Sequence, residues 1–271
     1  MASIITLLTD FGIESTYPAQ MKGVILGRCA NASLVDLSHG VPRHDVHRAA
    51  FMLASAAPAF PAGTIHMAVV DPQVGSARRI VAAECGGYRY LAPDNGLLTL
   101  VAQGQFLFGA GQPPARLISV ENRSLFREDV ASTFHGRDIF APVAAAMACG
   151  TPIEDLGSEV EDIERFDLPL PERAGNEICG KVLYVDPFGN LVTNIAGKLL
   201  ADADPSTLQL HVGGAVIRGL SRAYSDVPAG MLLAYIGSAN LLEVAVNRQS
   251  AALRLGAGIG AEICVRLPSE L

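Results

Sequence analysis

The chain is 271 residues long and half of its residues are hydrophobic, enough apolar material to fill one large domain or two modest ones. Its formal charge of −7, with no run of Lys or Arg, excludes the clustered positive surface that nucleic acid or an anionic membrane requires, so small molecules or protein partners are expected. The five cysteines, Cys29, Cys85, Cys149, Cys179 and Cys264, are scattered, odd in number and form no CxxC pair; they are expected as reduced core residues of a cytoplasmic protein, with no metal site.

In chain order, residues 1–8 hold a short apolar run without a basic start, which Asp10 closes before it reaches the length of a signal peptide or membrane span. Apolar or β-branched runs at 4–8, 34–36 and 65–70 then alternate with helical patterns at 19–29 and 45–55. That rhythm predicts βαβ units and a mostly parallel central sheet in an N-terminal α/β domain. Gly86-Gly87 separates two strand-like runs within 79–91 and predicts a hairpin. The alanine-rich stretch 137–149 predicts a helix that Gly150 ends. An acidic stretch at 154–177, with Pro169 and Pro171, has neither period and is the candidate linker. Its last part, 166–177, separates an expected α/β domain over 1–165 from a smaller domain over 178–271. In the latter, short apolar runs between glycine-rich turns predict an antiparallel β structure.

Four places hold residues that suit chemistry. Asp71, at the end of a predicted central strand, is followed by a Pro72 to Gly75 turn that lets Arg78 fold back and keep the carboxylate ionised; a turn-capping Asp beside a surface Arg reads equally well. Thr133, Phe134 and His135 precede a helix, where free N–H groups and an imidazole suit a polar ligand or a proton transfer, or form an ordinary cap. Asp10, Asp94 and Asn95 follow strands, where loops carry function but turns also favour Asp and Asn. Asp186, Phe188 and Asn190 form a polar turn whose aromatic ring either stacks on a base or packs inward. His39, His44 and His47 lack metal-ligand spacing and are expected on a surface loop. The 256–260 glycines lack dinucleotide spacing.

Taken in register, Leu8-Thr9-Asp10-Phe11-Gly12, Met21-Lys22-Gly23, Gly63-Thr64-Ile65-His66, Val70-Asp71-Pro72, Ala92-Pro93-Asp94-Asn95-Gly96-Leu97-Leu98, Thr133-Phe134-His135-Gly136-Arg137-Asp138 and Phe188-Gly189-Asn190 to Thr193-Asn194-Ile195, with Gly237-Ser238 and the 242–247 strand behind them, resemble the S-adenosyl-L-methionine hydroxide adenosyltransferase family. The resemblance implies a fold with a C-terminal β-barrel, a homotrimer with sites at subunit interfaces, and hydrolysis of S-adenosyl-L-methionine to adenosine and methionine with no cofactor. It implies a water-holding triad of Asp71, Arg78 and His135. It also implies substrate contacts from Asp10 (ribose), Asp94, Asn95, Thr133, Phe134, Asp186, Phe188, Asn190, Tyr224, Ser238 and Glu243. The alternatives are a halide-dependent, chlorinase-like transferase and a non-catalytic adenosine or S-adenosylmethionine binding protein. By the same resemblance, Gly136 stands where fluorinating members carry a serine, and Asp71 where chlorinating members carry an aromatic residue.

Overall fold

The computed structural model describes residues 3–102 and 116–268. The chain divides into two compact units, the first running to Phe166 and the second beginning at Asp167.

In the first unit β1 (Ile4–Thr9), α1 (Tyr17–Arg28), β2 (Ser33–Ser38), α2 (Val46–Ala56) and β3 (Ile65–Val69) alternate. The hairpin β4 (Ile80–Cys85) and β5 (Tyr88–Pro93) follows, then the short α3 (Thr99–Ala102), β6 (Arg116–Val120), α4 (Ala141–Ala148) and β7 (Gly157–Glu159). The sheet order is β2-β1-β3-β5-β4-β6-β7. It is mixed: β2, β1, β3 and β5 run parallel, and the pairs from β5 through β4 and β6 to β7 are antiparallel. The hairpin turn puts both Gly86 and Gly87 at positive φ, the backbone that a two-residue turn needs to match strand twist.

Side chains alternate across the sheet. Ile5, Leu7, Ile65 and Met67 pack on one face with α1 and α4, through Met21, Ile25 and Ala144. Leu8, Ala68 and Val70 pack on the other with Ala49 and Leu53 of α2. The helices α1 and α2 thus cover opposite faces of a buried sheet, the arrangement that leaves ligands to the strand ends. Because Thr9 pairs with Val69 and Met67 with Leu91 in parallel register, Asp10, Asp71 and Asp94 all emerge at the same edge.

The second unit contains β8 (Glu172–Ala174), β9 (Glu177–Val185), β10 (Leu191–Ala196), β11 (Gln209–Val212), β12 (Ala215–Arg218), β13 (Leu232–Ile236), β14 (Leu241–Val246), α5 (Ala251–Leu255) and β15 (Glu262–Arg266). Its strands are antiparallel in the order β12-β11-β15-β9-β10-β14-β13, with β8 beside β9. The ends of that order approach one another, as Ser221, just past β12, donates its amide to the Ala234 carbonyl on β13 at 2.7 Å. The sheet is therefore a nearly closed barrel around Ile178, Leu191, Leu210, Leu242 and Ile263.

One expectation is corrected here. Cys179 and Cys264 face each other in the β9–β15 register, with Cα atoms 4.1 Å apart, and form a disulfide; they are not reduced core residues. Of the others, Cys29 and Cys85 are buried and Cys149 is exposed. Among the described residues no helix is long and apolar enough to cross a membrane.

Candidate active site

After β3 the chain turns at once: Asp71 accepts the amide of Gln73 on Oδ1 at 3.3 Å, and its carbonyl accepts the amide of Val74 at 3.3 Å. Gly75 has φ +82°, and a Cβ there would lie 2.6 Å from the carbonyl oxygen of Ser132. Only glycine lets the 71–79 turn lie this close on the segment that leads to His135. Arg78 then folds back. Its Nε donates to Asp71 Oδ1 at 3.0 Å and Oδ2 at 2.8 Å, and its Nη2 also bonds Oδ2. Both side chains are about 95% removed from solvent, at 4% and 5% exposure, so this is a buried, forked ion pair and not a surface arginine beside a capping acid.

The second hydrogen-bonding direction of Arg78 Nη2 ends on His135 Nδ1, 3.1 Å away. A guanidinium has no acceptor, so Nδ1 must be the unprotonated nitrogen and the proton of the neutral ring sits on Nε2. Burial pushes the His135 pKa below its usual value, and the positive charge of Arg78 adds to this against the opposing pull of Asp71 and Asp138. The three groups therefore form one unit: an ionised carboxylate, the cation that pairs it, and a neutral imidazole presenting an N–H donor.

Around this unit, Phe134 packs with Tyr17 (ring centroids 4.8 Å) and Phe11 (5.9 Å), while Thr133 is exposed. Asp10 Oδ2 accepts the amide of His44 at 2.9 Å, and His44 holds φ +66° to deliver it, an uncommon conformation for a residue with a side chain. Asp94 and Asn95 are tied into the fold. Asp94 binds Arg79 Nε at 2.8 Å and the Glu164 amide at 2.7 Å, and Asn95 donates to the Val70 carbonyl at 2.9 Å. A cleft of about 550 Å³ nevertheless brings Arg78, Asp94 and Asn95 together, lined also by Gln73 and Phe166.

In the second unit Asp186 organises its own turn, accepting the amides of Phe188 and Asn190, both at 2.8 Å, and Asn190 Nδ2 at 2.7 Å. This leaves Phe188 projecting, 79% exposed, rather than packed inward. Asn190 Nδ2 also donates to the Tyr224 hydroxyl at 3.0 Å; that hydroxyl lies 2.7 Å from Tyr235, which donates to Glu243 Oε2 at 2.6 Å. Burial raises the pKa of Glu243, with the Tyr235 bond opposing, and burial with these hydrogen bonds raises that of Tyr235. Phe188, Asn190 and Tyr224 line a cleft of about 430 Å³ with Arg248, Gln249 and Ser250. Ser238 is exposed in the turn between β13 and β14.

Several residues of these networks escape the sequence reading. Tyr235 had a usable signal, since it sits directly opposite Glu243 in the β13–β14 pairing. His39, expected on a surface loop, is buried, with Nδ1 2.9 Å from Thr9 Oγ1 and Nε2 3.0 Å from Asp36; His44 and His47 are exposed. Among the described residues, the cluster with metal-ligand spacing is Glu177, Cys179 and Cys264, and its two sulfurs are already bonded to each other.

Known proteins resemble the whole arrangement. The family model described as SAM hydroxide adenosyltransferase N-terminal domain matches residues 5–157, and the one described as its C-terminal domain matches 180–264. A Thermus thermophilus protein named (R)-S-adenosyl-L-methionine hydrolase is 43% identical over 262 residues, covering 92% of this chain and 94% of that one. A fluorinase of Nocardia brasiliensis is 29% identical over 297 residues, covering 97% of each chain. The crystal structure of an uncharacterized conserved protein from Thermotoga maritima superposes with a TM-score of 0.88 at 36% identity, covering 97% of this chain and 99% of that one.

Proposed function

The chain belongs to the SAM hydroxide adenosyltransferase family, and on that premise we propose that it hydrolyses S-adenosyl-L-methionine to adenosine and L-methionine through Asp71, Arg78 and His135. The observation that carries this reading is the hydrogen-bonded order of the three groups: the Arg78 guanidinium joins the Asp71 carboxylate to the unprotonated Nδ1 of His135.

The sulfonium is already a good leaving group, so the reaction needs a nucleophile set in line behind the ribose 5′ carbon. Asp71 accepts a hydrogen bond from a water, and the Nε2–H of His135 donates to the same water, which turns an oxygen lone pair toward the carbon. The new C5′–O bond forms as the C5′–S bond breaks. Its electron pair goes to sulfur and yields neutral methionine, while the surplus water proton passes to Asp71 and then to solvent. Arg78 pairs with the carboxylate and holds it in place.

The same pairing favours water over halide. The positive charge of Arg78 is already matched by Asp71 at close range, so an anion beside that carboxylate meets a like charge without a free counterion. Asp10, the Asp186 to Asn190 turn, Tyr224, Ser238 and Glu243 are the proposed substrate contacts. The assembly proposed with them is a homotrimer with sites at subunit interfaces; an active monomer in light scattering would refute that part.

Turnover in oxygen-18 water tests the chemistry. The expected product is adenosine labelled at the 5′ oxygen, with labelling abolished in Asp71→Asn, whose amide keeps the shape but cannot take the proton. Unlabelled adenosine, adenine as the product, or an Asn variant as active as the parent would each overturn the mechanism.

A further inference from the structure

A neutral imidazole that must meet a guanidinium at 3.1 Å sits on a poor support, for residues 127–134, which lead to it, contain neither strand nor helix. What anchors them is a carboxylate not used by the chemistry above. Asp138 is wholly buried. Its Oδ2 accepts the backbone amide of Ala131 at 2.9 Å and Arg137 Nη2 at 2.9 Å. Its Oδ1 accepts Arg137 Nε at 2.7 Å and lies 3.3 Å from Arg127 Nε. Its carbonyl accepts the Arg127 amide at 3.0 Å. One residue therefore gathers positions 127, 131 and 137, and the bond from Ala131 closes a ring of chain with His135 inside it.

Two further observations point the same way. The helix after His135 does not begin as an α-helix: Gly136–Phe140 is a π turn, closed by the Ala141 amide on the Gly136 carbonyl. Such a turn re-aims the residues beside it and recurs at functional sites. There is little slack, since a Cβ on Gly136 would lie 3.2 Å from Met21 Sδ and from the Phe11 ring. In addition, the Arg137 guanidinium that forks onto Asp138 lies 5.0 Å over the Phe134 ring, so the clamp takes hold of the chain on both sides of His135. Burial works against the charge of Asp138, but the bonds from Arg137 and Ala131 and the Arg127 charge outweigh it and hold the carboxyl below the usual range.

We propose that Asp138 is a positioning residue for His135, drawing Ala131, Arg127 and Arg137 together across the π turn so that the imidazole is aimed at Arg78. The proposal rests on the hydrolase reading for the reaction this aim serves. Its test combines kinetics with a readout independent of turnover. In Asp138→Asn, kcat should fall by on the order of 100-fold, the usual cost of displacing a reacting group by about an ångström, with KM little changed. Arg137→Lys, which keeps charge but loses the fork, should fall between this variant and the parent. The His135 ring faces Arg78, Asp71 and Asp138, so its titration midpoint, read by NMR, should drop further in Asp138→Asn as a negative charge is removed. Parent-like kcat together with an unmoved His135 resonance overturns the proposal, as does an equal rise in KM. If Asp138→Asn does not fold, Arg127→Lys on the more exposed arm of the clamp carries the same two measurements. A parent protein that leaves S-adenosylmethionine intact sinks the hydrolase reading, while the His135 resonance still decides whether the clamp exists.

Discussion

Replacing Arg78 with methionine should destabilise the first unit as well as stop the reaction. The substitution keeps much of the apolar stem but leaves the Asp71 carboxylate, 5% exposed, without its cation. Removing one partner of a buried, hydrogen-bonded ion pair costs about 3–5 kcal/mol, most of it the penalty of the charge left behind. At roughly 2–4 °C per kcal/mol for a unit of this size, the unfolding midpoint should fall by about 6–20 °C. Asp71→Asn alone strands Arg78 and should cost a similar amount. The double variant strands neither group and should be little worse than either single one, which gives a coupling energy of about 2–4 kcal/mol. Scanning calorimetry on the four proteins, followed through the transition of the first unit, measures each value. Effects that add to within about 0.5 kcal/mol would show that the two side chains do not act as a pair, and the orienting role of Arg78 would fall with that result.

Two predictions concern pH. Because His135 is held neutral with a pKa below its usual value, kcat/KM should decline as pH falls with a midpoint below about 6.5, where the protonated ring loses its acceptor toward Arg78; a decline centred at or above 6.5 refutes the neutral-ring assignment. His66 is wholly buried on β3, bonds Thr6 Oγ1 through Nδ1 at 2.8 Å, and has its pKa lowered by burial to about 4. The unfolded state, with an ordinary value near 6.5, takes up the proton first as pH falls, so stability should drop between about pH 6.5 and 4, by about 3 kcal/mol in all. Urea unfolding across that range should show the slope in the parent and a shallower one in His66→Gln; equal slopes would remove His66 as its source.

Local signals carried the elements, and their partners across the chain were the harder part. Residues 4–8 and 65–70 were recognisable as central strands because apolar runs of that length bounded by Asp are what a strand buried on both faces needs. The hairpin was visible in Gly86-Gly87, where two successive positive φ values leave few other residues possible. Beyond that hairpin, the antiparallel pairing of β6 with β4 and β7 was not visible, since β4 and β6 are nearly as buried as β3 and a buried run looks the same whichever way its neighbour points. The 137–149 pattern predicted one helix, but the π turn at its start depends on how Gly136 packs against Phe11 and Met21, contacts more than 100 residues distant in sequence. The triad was named through resemblance, while the bond from Arg78 to His135 spans 57 positions that no local pattern connects. Asp94 and Asn95 were singled out correctly as loop residues at a strand end, yet their polar atoms are taken up by Arg79, Glu164 and Val70; a turn-forming Asp and a ligand-binding Asp have the same sequence signal.

Cys179 and Cys264 are the sharpest case, because composition argued for free thiols and pairing argues for a bond. Residues 85 positions apart become direct neighbours once β9 and β15 pair, and two outward-facing cysteines at one register position have little geometric freedom to avoid each other. The bond encloses β10 to β14, nearly the whole barrel. Closing a loop of that length in the unfolded chain is worth about 4–5 kcal/mol by the chain-entropy relation, so reduction should lower the unfolding midpoint of the second unit by at least about 10 °C. The first unit should be unaffected, because neither cysteine belongs to it. Calorimetry with and without dithiothreitol reads the difference, and a Cys179→Ser/Cys264→Ser variant should melt like the reduced parent in either buffer. Alkylation in freshly lysed cells, before any reductant is added, decides which state the protein holds at its place of work. Labelling of Cys149 with Cys179 and Cys264 protected is the expected pattern; full labelling of Cys179 and Cys264 would restore the reading of these residues as free thiols and leave the barrel to its apolar core alone.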